Sequence, residues 1–145
     1  MKKEDIKRLS DAYPYLWPNE MSALPDGWTE IAERLLSDLN EIQPQPEGVF
    51  GRLINLSIRS GDGFAIAYVS LSNLGKWNAK KALALVEAIQ CFNVSTSRSC
   101  QLCGDPAAVL VKEWDGSRQE MLCQHHADAR LAACEGGLCN EQGYR

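Results

Sequence analysis

Apolar residues along the chain recur at two different spacings, and each change of spacing marks a new element. Lys3 to Ala12 reads as a short helix, which ends where Pro14 biases Tyr13 away from the helical region. Tyr15, Leu16, Trp17 and Pro18 then form a loop whose large apolar side chains must pack on something. Trp28, Ile31, Ala32, Leu35, Leu36, Leu39 and Ile42 follow at helical spacing, with Asp26 placed to cap that helix and Pro44 and Pro46 to end it. From Arg52 to Leu71 the spacing shortens to two. Ile54, Leu56 and Ile58 share one side of a strand, Phe64, Ile66 and Tyr68 share one side of the next, and Ser60-Gly61-Asp62-Gly63 supplies the turn of a hairpin. Helical spacing returns from about Asn78 to Phe92, where Ala82, Leu85, Val86, Ile89 and Phe92 form the predicted apolar stripe. Cys91 lies on this helix and is expected in the core, while Lys76, Lys80 and Lys81 near its start are expected to be solvated.

The polar run Ser95 to Ser99 reads as a link between this body and a cysteine-rich segment. The expected division is therefore an α+β body over 1–95, a smaller module over 96–134 and a tail over 135–145. A chain of 145 residues, 45% hydrophobic and 23% charged, has the composition of a folded domain with one main core. Met1, Lys2 and Lys3 run straight into Glu4 and Asp5 without an apolar stretch, so a cytoplasmic location without membrane insertion is expected. The net charge is −4, shared evenly on either side of Asn93, which argues against a polyanion-binding surface.

Cys100 and Cys103 have two residues between them, and Cys123 is followed at the third position by His126. Two close ligand pairs separated by a hairpin-sized loop have the spacing of a tetrahedral Cys3His site. Thiolates and a neutral imidazole suit zinc, and four protein ligands leave no position open for chemistry, so one structural Zn2+ is expected. Gly104 permits the left-handed turn that a Cys-x-x-Cys knuckle needs. Val109 and Val111 alternate, Asp115-Gly116 turns the chain, and Arg118 to Leu122 returns as a second strand. A helix through about Ala133 then places Cys123 and His126 on one face. His125 is the alternative imidazole, and Cys134 and Cys139 are read as free thiols. Knuckle, hairpin and helix in that order resemble a treble-clef zinc finger. Metal binding should supply most of the module's stability, so chelation is expected to unfold the C-terminal third first.

Several short segments carry a wider likeness: Tyr13-Pro14-Tyr15-Leu16-Trp17, Asp26-Gly27-Trp28, Cys100-x-x-Cys103-Gly104, and Leu122 and Cys123 with His126 and Ala127. Together they resemble a group of small zinc-binding proteins of bacteriophages and prophages. Pro25 stands where that group has a glycine, and Ser57 to Phe64 replaces a basic run in its hairpin. The resemblance implies a phage-type source and shape, and no particular biochemical activity.

Three functions follow as expectations. The first is a non-enzymatic accessory protein that binds and modulates a host or phage protein, with Trp114, Trp77 and Trp17 as candidate anchors. A nucleic-acid-binding zinc finger is the alternative, with Arg98, Lys112, Arg118 and Arg130 as its cations. A metal-dependent nuclease ranks last, because two histidines cannot supply both a zinc ligand and the remaining catalytic partners.

Overall fold

The computed structural model describes residues 1–43, 53–107, 109–112 and 119–133, which form an α+β fold with two antiparallel hairpins. Helix α1 (Lys3–Ala12) is followed by two short 3-10 turns, Asn19–Ala23 and Asp26–Trp28, and then by α2 (Thr29–Ile42). Strands β1 (Ile54–Gly61) and β2 (Phe64–Leu71) pair in register from Ile54 opposite Leu71 to Gly61 opposite Phe64. Helix α3 (Ala79–Arg98) leads into β3 (Val109–Lys112), β4 (Gln119–Leu122) and α4 (Gln124–Ala133). No helix among the described residues is long and apolar enough to cross a membrane.

The main core lies where α2 and α3 cover one face of the first hairpin. Leu35, Leu36 and Leu39 of α2 meet Ile54, Leu56 and Ile58 of β1, Ala65 and Ala67 of β2, and Leu85 and Phe92 of α3. Leu16 and Met21 are buried in the same cluster, as the apolar loop after α1 requires. The tight turn Asp62-Gly63 has φ of +51° and +85°, the left-handed pair that a two-residue hairpin loop needs. A bidentate ion pair joins α1 to α2: Arg8 Nη1 donates to Glu33 Oε1 at 2.5 Å and Nη2 to Oε2 at 2.9 Å.

Four expectations change here. Asp26 does not cap α2: it opens a 3-10 turn, its carboxylate faces the Met1 amine at 3.2 Å, and the Thr29 hydroxyl donates to its carbonyl at 2.8 Å. The polar run after Asn93 is no link, because α3 continues through it to Arg98. The reason is Thr96, a fully buried hydroxyl that donates to Ala65 O at 2.9 Å and accepts the Ala65 amide at 3.2 Å. Asn93 Oδ1 accepts the Ala67 amide at 2.8 Å in the same way. These bonds close the outer edge of β2 and set the rotation of α3. Leu85, Ala88, Phe92 and Thr96 therefore point inward, whereas Ala82 and Val86 of the predicted stripe are exposed. Cys91 is turned out by the same rotation and is exposed on the groove between α2 and α3, rather than in the core.

Phe64, Ile66 and Tyr68 share one side of β2 as expected, and it is the outer side; Ala65 and Ala67 face the core. Small side chains there let α3 approach the strand closely, which leaves the larger ones on the outer face. Trp17 and Trp77 are half-buried against the main core, and the Trp77 indole donates to Ser72 O at 3.4 Å. Trp114, Arg118, Cys134 and Cys139 lie outside the described residues, as does the tail over 135–145.

Candidate metal centre

The second, smaller core holds the cysteine segment together. Cys100, Leu122 and Ala127 are buried, with Val109, Val111 and Cys123 packed on them. Strands β3 and β4 pair from Val109 opposite Leu122 to Lys112 opposite Gln119, and α4 lies against both. Arg130 of α4 donates to Glu120 of β4 at 2.7 Å, so one of the cations considered for nucleic-acid contact is engaged within the module.

The knuckle itself is a tight backbone turn. The Gly104 amide donates to Cys100 O at 2.9 Å, with Gly104 at φ +84°, and the Cys100 amide donates to Asp105 O at 2.7 Å. Its Gln101 amide donates to Met121 O at 3.0 Å, and Met121 N returns a bond to Gln101 Oε1 at 3.2 Å. These bonds dock the knuckle on β4 one residue before Leu122, so Cys123 arrives beside it. The Ala127 amide donates to Cys123 O at 3.0 Å as α4 begins, and the first turn brings His126 round to the same side.

Cys100, Cys103, Cys123 and His126 thus converge, with their ligand atoms all within 4.8 Å of one another. Tetrahedral zinc with Zn–S bonds of about 2.3 Å and a Zn–N bond of about 2.0 Å requires S–S edges near 3.8 Å and S–N edges near 3.5 Å. The Cys103 and Cys123 sulfurs are 3.8 Å apart, and His126 Nδ1 is 3.5 Å from the Cys100 sulfur and 3.1 Å from that of Cys123. The donor set fits, two of these edges match and the third is short, and the cluster is a site for one structural Zn2+. His125 is exposed, its ring centroid 5.3 Å from that of His126, and it takes no part in the cluster.

The sulfurs sit in different surroundings. Burial opposes ionisation of Cys100, but backbone amides of Cys123, Cys103 and Leu102 aimed at its sulfur prevail and lower it to about 6. Cys103 accepts one amide, from Asp105, which favours its thiolate. Partial desolvation and the neighbouring Cys100, Asp105 and Cys123 side chains outweigh that amide and push the thiol up to about 12. Its sulfur donates to Asp105 Oδ2 at 3.3 Å.

Two residues that the sequence reading placed in α2 are part of this centre. The Gly27 amide donates to Gln101 O at 2.9 Å, and the Trp28 indole donates to Ser99 O at 3.1 Å. A Cβ at Gly27 would lie 2.3 Å from Cys100 O, 2.5 Å from Gly104 N and 2.9 Å from Cys103 N. Gly27 and Gly104 are pressed face to face, so the Asp26–Trp28 turn is the buttress of the knuckle. A glycine just ahead of a helix, where most side chains would favour helix initiation more, was the one available signal.

No protein-family model, no curated protein and no solved structure matches the chain.

Proposed function

We propose that the chain is a small phage-type accessory protein of the cytoplasm that binds and modulates another protein, of host or phage origin, without catalysing a reaction. The knuckle, hairpin and helix around the four ligands support reading the module as treble-clef-like, and zinc as the ion that keeps it in shape. Zinc with four protein ligands has no place for substrate or water.

One observation carries the binding role. The outer face of the first hairpin presents Phe64, 39% exposed, and Tyr68, 45% exposed, on either side of Ile66. Helix α3 also exposes Leu83, Val86 and Val94. Uncovered apolar and aromatic side chains grouped on one strand face are characteristic of protein contact sites. Arg59, in register with Ile66, holds its guanidinium 5.7 Å from the centre of the Tyr68 ring. The complementary partner therefore offers an apolar surface with a carboxylate for Arg59. Nucleic acid is the weaker reading, because Arg130 is already bonded to Glu120 and the chain is acidic.

The test compares the wild-type chain with the double variant Phe64→Ser, Tyr68→Ser as baits in a bacterial lysate. Both substitutions lie on the outer face, and a variant that keeps its zinc content and a cooperative melt is the folded control. The expected result is a protein retained by the wild type and lost from the variant. Capture that ignores the substitutions overturns the assignment of this face, and so does a dimer in light scattering that the same substitutions dissolve.

A further inference from the structure

The four ligands are unequally sheltered. Cys100 is fully buried under the Asp26–Trp28 turn and Cys123 is half-buried, whereas Cys103 is exposed and has the Asp105 carboxylate 3.3 Å from its sulfur. Three thiolates on one zinc ion leave a net charge of −1, and Asp105 adds a second negative charge at the exposed corner. Accessible thiolates are the ones that oxidants reach, and burial protects the others. The Cys123 sulfur lies 3.8 Å from that of Cys103.

From this asymmetry we propose that Cys103 is a site of oxidation by hydroperoxides, with Cys123 as its resolving partner, so that the module releases zinc as a disulfide forms. The Cys103 thiolate attacks one peroxide oxygen, and the O–O bond breaks to give Cys103 sulfenic acid and hydroxide. The Cys123 thiolate then attacks the sulfenyl sulfur and expels a second hydroxide as the S–S bond closes. Two electrons pass from the two thiolates to one peroxide, and zinc leaves because two of its four ligands are gone. Loss of the knuckle also removes the carbonyl of Gln101 from the Gly27 amide, which carries the change into the start of α2.

The experiment uses the full chain loaded with zinc and treated with hydrogen peroxide. A chromophoric chelator follows zinc release, and alkylation with peptide mapping locates the disulfide. Exposed Cys91, which binds no metal in this cluster, serves as an internal reference for oxidant exposure. The expected result is two thiols lost for each zinc released, a Cys103–Cys123 disulfide, and recovery on adding a thiol reductant with zinc. Asp105→Asn, which keeps all four ligands, should release zinc more slowly than the wild type. Retention of zinc while Cys91 is fully oxidised overturns the proposal, as does a disulfide joining Cys103 to Cys100, Cys134 or Cys139. Equal release rates for Asp105→Asn and the wild type remove the carboxylate from the explanation. Zinc content measured before oxidant is added separates these outcomes from a failure of the metal site itself.

Discussion

At the scale of single residues, Gly27 couples two distant parts of the chain. Its missing side chain is what allows Cys100 O and Gly104 N to come so near. Gly27→Ala must displace backbone atoms, which cannot swing aside as a flexible side chain can. Overpacking of this kind costs about 1 to 3 kcal/mol. It should lower the melting temperature and weaken zinc binding together, because the displaced atoms belong to the knuckle. Gly61→Ala, where a Cβ would meet nothing within 4 Å, is the control and should change neither. Thermal denaturation and chelator competition on the two variants test this, and equal behaviour would mean that the turn is no buttress. The residue also shows where sequence reading stops. The four ligands were legible because their spacing is local, with two residues between the members of each pair. The Gly27 contact joins residues over seventy positions apart, and no local pattern encodes a backbone approach of that kind. Asp26 was misjudged for a related reason: an acidic residue before an apolar helix fits a cap, but only the fold shows that its carboxylate is turned toward Met1.

Among the elements, α3 shows how a polar residue overrules hydrophobic periodicity. The apolar spacing of its sequence is consistent with more than one face, since Ala82, Val86 and Val94 compete with Ala88 and Phe92. Asn93 and Thr96 decide between them by bonding the free amides of β2. Thr96 was read as part of a polar link and Asn93 was given no role, because sequence alone does not say that a strand edge will be waiting. Thr96→Val keeps the shape and removes the hydroxyl, leaving the Ala65 amide and carbonyl without it in a buried place. The expected loss is about 1 to 3 kcal/mol in urea unfolding, the usual cost of leaving such groups unpaired. A Thr96→Val chain as stable as the wild type would show that α3 is held by its apolar contacts alone. The α1–α2 clamp makes a smaller claim. The Arg8 guanidinium, by hydrogen bonding and charge against a weak desolvation, holds the Glu33 carboxyl below its ordinary range. Its contribution is therefore present above the usual carboxylate pKa and is lost as pH falls through the lowered folded value. Because the pair is largely exposed, Glu33→Gln should flatten the acid limb of stability by under about 1 kcal/mol.

For the whole molecule, the question is whether metal loss dissolves one module or the entire fold. The two cores are separate: Cys100, Leu122 and Ala127 form one, and the cluster from Leu9 to Phe92 forms the other. So small a second core cannot hold its segment against chain entropy, whereas structural zinc in finger peptides contributes on the order of 10 to 16 kcal/mol of apparent binding energy. None of the four ligands belongs to the main core. Chelation should therefore melt the knuckle, second hairpin and α4 first and leave the body folded. The body will not be untouched, since the Gly27 amide and the Trp28 indole lose their acceptors at Gln101 and Ser99. Amide hydrogen exchange before and after a chelator such as EDTA separates the cases. Protection should vanish at Gln101, Gly104 and Ala127, fall at Gly27, and persist at Ala65 and Ala67. Loss of protection at Ala65 and Ala67 in step with Gly104 would mean that the two cores unfold as one cooperative unit, with zinc holding the whole chain rather than its last third.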